Sequence, residues 1–285
     1  MGLGGHLTWT AVARELYKKL NDKNIKILPC EIHGSRITRV IESEIFKNNP
    51  YLVTNKEDLK QANQNKVFPL QLNNPDTNYC KFDSPKKCVQ RCDKHCIEQI
   101  CEFYGIENPE LRCEIYFSDD ELEKINQLTE KLDKDFIVIE PHAKSDYTPN
   151  KTYSFQKWQN VANELKKYIQ VVQISPPGKK VLDGVVSLVG ETTFREATGV
   201  IGKSKMFLST EGGLMHASTA ADTTALIVMT GYQSPVLWSY PKNINLYIGS
   251  HGPCGLKIPC KECYNDVENH DENEIIQKAK EHLEL

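Results

Sequence analysis

Ser209-Thr210-Glu211-Gly212-Gly213-Leu214-Met215-His216, followed by the small residues Ala217 to Ala221 and the apolar run Ala225 to Met229, decides how this chain is read. The pattern predicts a loop, a close-packed helix and a buried strand. Paired glycines let a backbone approach a partner closely, and here they fall where a helix begins with its first N–H groups unpaired. Such an end attracts an anion, so a nucleotide phosphate is the expected occupant.

On the N-terminal side of this stretch, apolar strand patterns alternate with amphipathic helix patterns. Phe136 to Ile139, Ile169 to Ile174 and Met206 to Leu208 read as strands, and Phe155 to Tyr168 and Phe194 to Ser204 as helices. Thr192 and Thr193 precede the second helix, and Glu196 stands three residues after Thr193, which makes a capping box. This alternation predicts a parallel sheet with its ligand at the strand C-terminal ends, so the loops after Ile139, Ile174, Leu208 and Met229 should converge. Pro176-Pro177-Gly178 reads as a turn near the nucleotide, with a base or ribose resting on Ile174 and Ser175.

The N-terminal portion is less regular. Gly2-Leu3-Gly4-Gly5-His6 reads as a glycine loop, and Leu7, Trp9, Val12, Ala13, Leu16 and Leu20 then recur at helical spacing up to Asn21-Asp22. Ile25 to Leu28 follows as a strand, completing a loop-helix-strand unit of a doubly wound sheet, although no strand precedes the loop to feed it. Residues 35–80 are polar with short apolar islands. A helix is predicted from Pro85 to Tyr104, a short strand at Ile115 to Phe117, and a helix capped by Ser118 that runs to Leu132. The expected boundary follows it, giving units 1–132 and 133–285.

The 285 residues accommodate one large or two medium domains, long enough for a real core in each, and a two-domain protein is the first expectation. A net charge of -3 supplies no electrostatic case for nucleic acid. No apolar run reaches bilayer-spanning length and no basic-then-apolar leader opens the chain, so a cytoplasmic location without a transmembrane segment is expected. On that footing the ten cysteines are expected to be thiols or metal ligands rather than a disulfide framework. Cys88, Cys92 and Cys96 share a four-residue spacing, with Cys101 further along, and would form one buried stripe on a helix. His251-x2-Cys254-x5-Cys260-x2-Cys263 is a different case, because one imidazole and three thiolates can close a tetrahedral metal site.

Taken in order, Gly-x-Gly-Gly-His at the first helix, Pro141-His142-Ala143 after a strand, Lys151 with Trp158, Gly190-Glu191-Thr192-Thr193-Phe194-Arg195-Glu196 and Glu211-Gly212-Gly213-Leu214-Met215-His216 resemble the heptosyltransferase family of GT-B glycosyltransferases. The resemblance implies an α/β GT-B fold, two Rossmann-like domains facing across a cleft, with acceptor binding in 1–132 and the nucleotide-sugar in 133–285. It also implies inverting transfer of a heptose or related sugar from an ADP-linked donor to a glycan or lipopolysaccharide-type acceptor, by a protein able to sit peripherally at a membrane. No cofactor is required for that chemistry. Some relatives carry a cysteine-bound iron or zinc late in the chain, where His251, Cys254, Cys260 and Cys263 stand here.

The same resemblance distributes roles. Heptosyltransferases usually have Asp after the second glycine of the first loop, where this chain has Gly5. Other GT-B enzymes place a histidine base after Gly-Gly, so His6 becomes the candidate base, with Gly4 and Gly5 as the acceptor-side loop. The plain alternative is a histidine that caps the first helix. Lys151, with Lys144 as second choice, matches the lysine that meets the donor diphosphate, and Tyr153 fills the aromatic slot; the alternative for Lys151 is a solvated loop lysine. Glu211 stands where the family has Asp, while Gly212, Gly213, Leu214 and Met215 would offer backbone N–H groups and His216 would touch the diphosphate or pack against the sheet. Two other readings stay open: a degenerate relative that binds a nucleotide or glycan without catalysis, and a dinucleotide oxidoreductase suggested by the opening glycines. The second lacks both the strand before those glycines and a clear acid after the next strand.

Overall fold

The structure, a computed structural model, describes residues 2–55, 66–77, 80–142 and 147–285. Its centre is a six-stranded, wholly parallel sheet in the C-terminal half. The strands are β6 (Phe136–Glu140), β7 (Gln170–Gln173), β8 (Val186–Ser187), β9 (Phe207–Thr210), β10 (Ala225–Met229) and β11 (Ile244–Tyr247), in spatial order β11-β10-β9-β6-β7-β8. Every residue of β9 and β10 is buried, as expected for parallel strands covered on both faces, and this explains their unbroken apolar runs. The loops after β6, β7, β9 and β10 therefore emerge side by side at one edge.

The N-terminal half has a smaller mixed sheet in the order β2-β1-β3, built from β1 (Lys26–His33), β2 (Arg36–Val40) and β3 (Val67–Gln71); β1 runs parallel to β3 and antiparallel to β2. A separate hairpin pairs β4 (Cys80–Ser84) with β5 (Lys87–Gln90). The helices are α1 (Leu3–Leu20), α2 (Cys96–Phe103), α3 (Asp119–Thr129), α4 (Phe155–Leu165), α5 (Phe194–Lys203), α6 (Gly213–Ala220), the short α7 (Pro235–Trp238), α8 (Lys261–Asn269) and α9 (Asn273–Leu283). One apolar cluster runs from Leu7, Val12 and Ile97 through Val200 and Met215 to Phe207 and Ile227, so α1 and α2 share a core with one face of the large sheet. The other face packs beneath α4 and α9 around Trp158, Val161 and Ile275. Among the described residues, no helix is long and apolar enough to cross a membrane.

Local signals hold where a helix carries its own start. Ser118 with Glu121, and Thr193 with Glu196, form complete capping boxes. The predicted helix from Pro85 to Tyr104 does not form as such. Lys87–Gln90 is a strand, and the helix starts only at Cys96, where the His95 ring accepts the Ile97 N–H and Glu98 accepts the His95 N–H. Cys88, Cys92 and Cys96 therefore share no helix face. Cys88 is disulfide-bonded, contrary to the expectation of thiols or metal ligands throughout, while Cys30, Cys96, Cys101, Cys113, Cys254, Cys260 and Cys263 form no disulfide. Ile115 to Phe117 joins no sheet among the described residues. Side chains take up backbone N–H groups just before it: Thr10 Oγ1 accepts from Glu114 and Thr219 Oγ1 from Cys113.

Candidate active site

The N-terminal glycines lie in a helix, not a loop. With Gly2 as N-cap, α1 begins at Leu3, so Gly4, Gly5 and His6 occupy its first turn. Gly4 is where α1 meets α6: a Cβ there would stand 2.8 Å from Gly213 Cα and 2.9 Å from His216 Cδ2. A Cβ on Gly213 would in turn reach 3.1 Å from the Phe194 ring. The two helix starts meet through glycine, and each lacks both a capping side chain and an acid in its first turn. Their unpaired N–H groups and positive dipole ends thus lie close together without an internal counter-charge.

Lys151 and Glu211, both singled out from the sequence, meet at this edge. Lys151 ends a short 3-10 turn, Pro149–Lys151, and its Nζ lies 2.6 Å from Glu211 Oε2, with the two side chains 16% and 9% exposed. The ammonium also faces the rings of Tyr147 and Tyr232, with centroids at 5.5 and 5.2 Å. A small pocket here is lined by Lys151, Glu211, Met229, Thr230, Tyr232 and Gln233. Glu211 occupies one direction of the ammonium, and the three N–H bonds of Lys151 leave donors for a second anion. Lys144 lies outside the described residues.

His6 is half-buried. Its Nδ1 lies 2.8 Å from Ser43 Oγ and its ring 5.3 Å from that of Phe46. Burial holds its pKa below the ordinary histidine value. In the tautomer with the proton on Nδ1, the other nitrogen is a neutral acceptor. His216 is buried at 4% exposure, with Nδ1 2.6 Å from the Tyr240 hydroxyl and its ring edge-on to Trp238; burial lowers its pKa to about 3. Its ring thus packs against Tyr240 and Trp238. Tyr153 lies in the core against Trp158 with its hydroxyl 2.7 Å from His270 Nδ1, Met215 points into the core, and Ile174 is buried rather than open to a base.

Several neighbours carried no sequence signal. Glu140 ends β6 beside Ser209, and burial pushes its carboxyl up to about 8. Tyr147 and Tyr232 flank Lys151 from segments that no motif marks, and only the tertiary fold brings them there. Arg195 belongs to a quoted motif, but its role is structural. Buried at 2% exposure, it pairs bidentately with Glu121 at 2.5 and 2.8 Å and donates to the carbonyls of Glu44 and Tyr116.

His251, Cys254, Cys260 and Cys263 also converge, with one ligand atom from each lying within 4.8 Å of all the others. The Cys254 and Cys263 sulfurs are 3.5 Å apart, and His251 Nε2 lies 3.8 and 4.0 Å from Cys263 and Cys260. Thiolates held ~2.3 Å from a tetrahedral ion stand about 3.8 Å apart, so the set fits zinc or iron. Asp266 Oδ2 lies 3.2 Å from His251 Nδ1, and the Ser250 hydroxyl donates to its other oxygen. Four protein ligands leave no open position, which is the pattern of a structural site.

A sequence model of glycosyltransferase family 9 (heptosyltransferase) matches residues 81–271, most of the chain and all of the Lys151, Glu211 and cysteine segments. The chain belongs to this family. Among solved structures, the glycosyltransferase family 9 protein from Veillonella parvula superposes over 99% of this chain and 94% of its own, with a TM-score of 0.66 and 12% identity. The iron-containing dodecameric glycosyltransferase TibC from enterotoxigenic E. coli covers 99% of this chain and 74% of its own, with a TM-score of 0.62 and 13% identity. E. coli ADP-heptose LPS heptosyltransferase II covers 67% of this chain with a TM-score of 0.51 and 16% identity, and this family 9 chain spans 62% of that protein's length. No curated protein sequence matches the chain. At these identities the structural likeness establishes the fold, which is the α/β architecture of GT-B heptosyltransferases.

Proposed function

We propose that this family 9 member is a glycosyltransferase that moves a heptose or related sugar from an ADP-linked donor to a hydroxyl of a glycan or lipopolysaccharide-type acceptor, with inversion. The observation that carries this reading is the Lys151–Glu211 pair set beside the uncapped start of α6, itself in contact with the uncapped start of α1. Diphosphate charge grows on the departing nucleotide as the glycosidic bond breaks. An ammonium and two helix ends fixed in advance stabilise that charge without reorganising. TibC is described in complex with ADP-D-β-D-heptose, which supports ADP as the nucleotide.

In this reading residues 133–285 hold the donor and 1–132 present the acceptor. His6, kept neutral by burial, accepts the proton of the attacking hydroxyl as that oxygen bonds to the anomeric carbon, and the diphosphate leaves from the opposite face. A single displacement gives inversion. An ion among His251, Cys254, Cys260 and Cys263 would supply structural cross-linking, and the transfer itself uses fixed protein charges. A location in the cytoplasm, at the membrane surface where a lipid-linked glycan is made, accords with this chemistry.

The test is thermal unfolding with ADP, UDP, GDP and NAD in parallel. A nucleotide at about a hundred times its Kd adds roughly 2.7 kcal/mol of stability. A selective rise with ADP, lost in Lys151→Met, supports the donor site; a rise with NAD alone would sink the transferase reading. The second reading, a nucleotide or glycan binder without catalysis, draws on Gly5 in place of the family's Asp. Activity assays on ADP-sugars separate the two.

A further inference from the structure

We infer that the cysteine cluster acts on the donor site at a distance: its loop, fixed by an ion, positions Lys151 through the side chain of Asn150. The functional meaning of that coupling rests on reading Lys151 as the donor-phosphate lysine. The loop is residues 250–260, which contribute three of the four ligands yet no helix or strand of their own. A segment without a backbone ladder keeps its shape only through what it is tied to.

The Cys254 and Gly255 N–H groups donate to the carbonyls of Gly231 and Tyr232, and the ties further along the loop converge on one residue. Asn150 is 6% exposed, and its amide donates to the carbonyls of Leu256 at 2.7 Å and Ile258 at 2.8 Å, while its Oδ1 accepts the Cys260 N–H at 2.9 Å. All three bonds go to the span from Leu256 to Cys260, between the ligands Cys254 and Cys263. The Thr148 hydroxyl adds a fourth, to the Leu256 carbonyl at 2.8 Å, and the Asn150 carbonyl is itself held by Thr230 Oγ1 at 2.6 Å. Lys151 is the next residue, and its ammonium reaches Glu211 from this anchored turn. Displacing Leu256 or Cys260 therefore withdraws partners from the residue that sets the Lys151 backbone.

The loop is tied on its other side to the hairpin of the N-terminal half. Gly255 accepts the Cys88 N–H at 2.9 Å, the Lys257 N–H donates to the Lys86 carbonyl at 2.8 Å, and Leu256 bridges Lys87 in antiparallel fashion. Gly255, at φ +60°, leaves no room for a side chain, since a Cβ would fall 2.0 Å from the Cys88 carbonyl oxygen. A single loop thus joins the ion site, the β4–β5 hairpin and the Lys151 turn. Asn150 is a positioning residue, acting through Lys151 without touching the donor.

The experiment measures Lys151 itself, with no nucleotide present. Lysine acylation rates are followed by mass spectrometry on zinc-loaded protein, on chelator-stripped protein that circular dichroism shows to be folded, and on zinc-loaded Asn150→Ala with one zinc per chain verified. The expected result is that stripping and Asn150→Ala each speed Lys151 modification on the order of tenfold, equivalent to about 1.4 kcal/mol of lost local order, while exposed Lys203 is unchanged. Equal protection of Lys151 in all three samples would overturn the inference. If Asn150→Ala does not fold, zinc-loaded Thr148→Val removes one tie more gently and should give a smaller rise, with Thr148→Ser restoring the wild-type rate; no rise in Thr148→Val would overturn the inference as well. ADP titration of the same samples separates the two layers. Loss of ADP affinity in parallel with Lys151 deprotection extends the coupling to the donor, whereas a loaded wild type that ignores ADP defeats the donor reading and leaves the acylation result to decide the positioning.

Discussion

Replacing Gly4 by alanine sets intrinsic helix propensity against tertiary contact. By propensity alone, alanine in a helix gains up to about 1 kcal/mol over glycine, and less in the first turn where Gly4 lies. The packing opposes this. The new methyl would stand 2.8 Å from Gly213 Cα and 2.9 Å from His216 Cδ2. Neither can step aside cheaply: Gly213 is backbone at the start of α6, and the His216 ring is fixed by the Tyr240 hydroxyl at 2.6 Å and by Trp238. Overpacking of this kind costs typically 1 to 3 kcal/mol, so a net destabilisation of about 1 to 2 kcal/mol is expected. The two helix starts would also move apart, weakening ADP binding beyond what stability alone explains. Urea unfolding and ADP calorimetry measure both effects, with Gly202→Ala as the internal control because its Cβ would meet Ala221 only at 3.4 Å, an ordinary contact. A Gly4→Ala protein as stable as wild type, or more so, would refute the argument that this glycine exists for the contact between α1 and α6.

Arg195→Ala should cost about 2 kcal/mol, because it removes a buried guanidinium that pairs bidentately with the partly exposed Glu121 and donates to the carbonyls of Glu44 and Tyr116; chemical denaturation checks this. The same pair makes a pH prediction. The Arg195 guanidinium holds the Glu121 pKa down to about 2, so its stabilisation is present above the ordinary glutamate pKa near 4.5 and is lost as pH falls toward 2; Glu121→Gln should flatten the acid limb of a stability profile. Gly255→Ala should detach the β4–β5 hairpin from the cysteine loop and lower the melting temperature, and faster proteolysis within residues 80–90 would report it. His6→Ala should abolish sugar transfer while ADP affinity stays near its original value; turnover that survives the change would remove His6 as the base.

Much of this architecture was legible one segment at a time. The apolar runs at Phe136–Ile139 and Ala225–Met229, the N-cap at Ser118, the capping box at Thr193, and the ordered glycine and acid motifs state their structure within a turn or a strand, so periodicity and capping chemistry predicted the large parallel sheet, and motif order predicted the family. Lys151 and Glu211 were each visible as residues, and the four metal-ligand candidates as a spacing. The long-range pairings were not visible. The cysteine spacing in 88–96 imitates a helix, but Cys88 spends its N–H on Gly255, far along the chain, and becomes a strand. Gly4 looks like a loop glycine until Gly213 comes to lie against it. Asn150 carries no motif at all, and its importance arises only when the cysteine loop folds over it. Helix starts and strand patterns depend on neighbours within a few residues, which the sequence by itself determines. The ion pair, the contact between helix starts and the anchoring of the Lys151 turn depend on which distant surfaces the shared core brings together, and only the tertiary structure decided those.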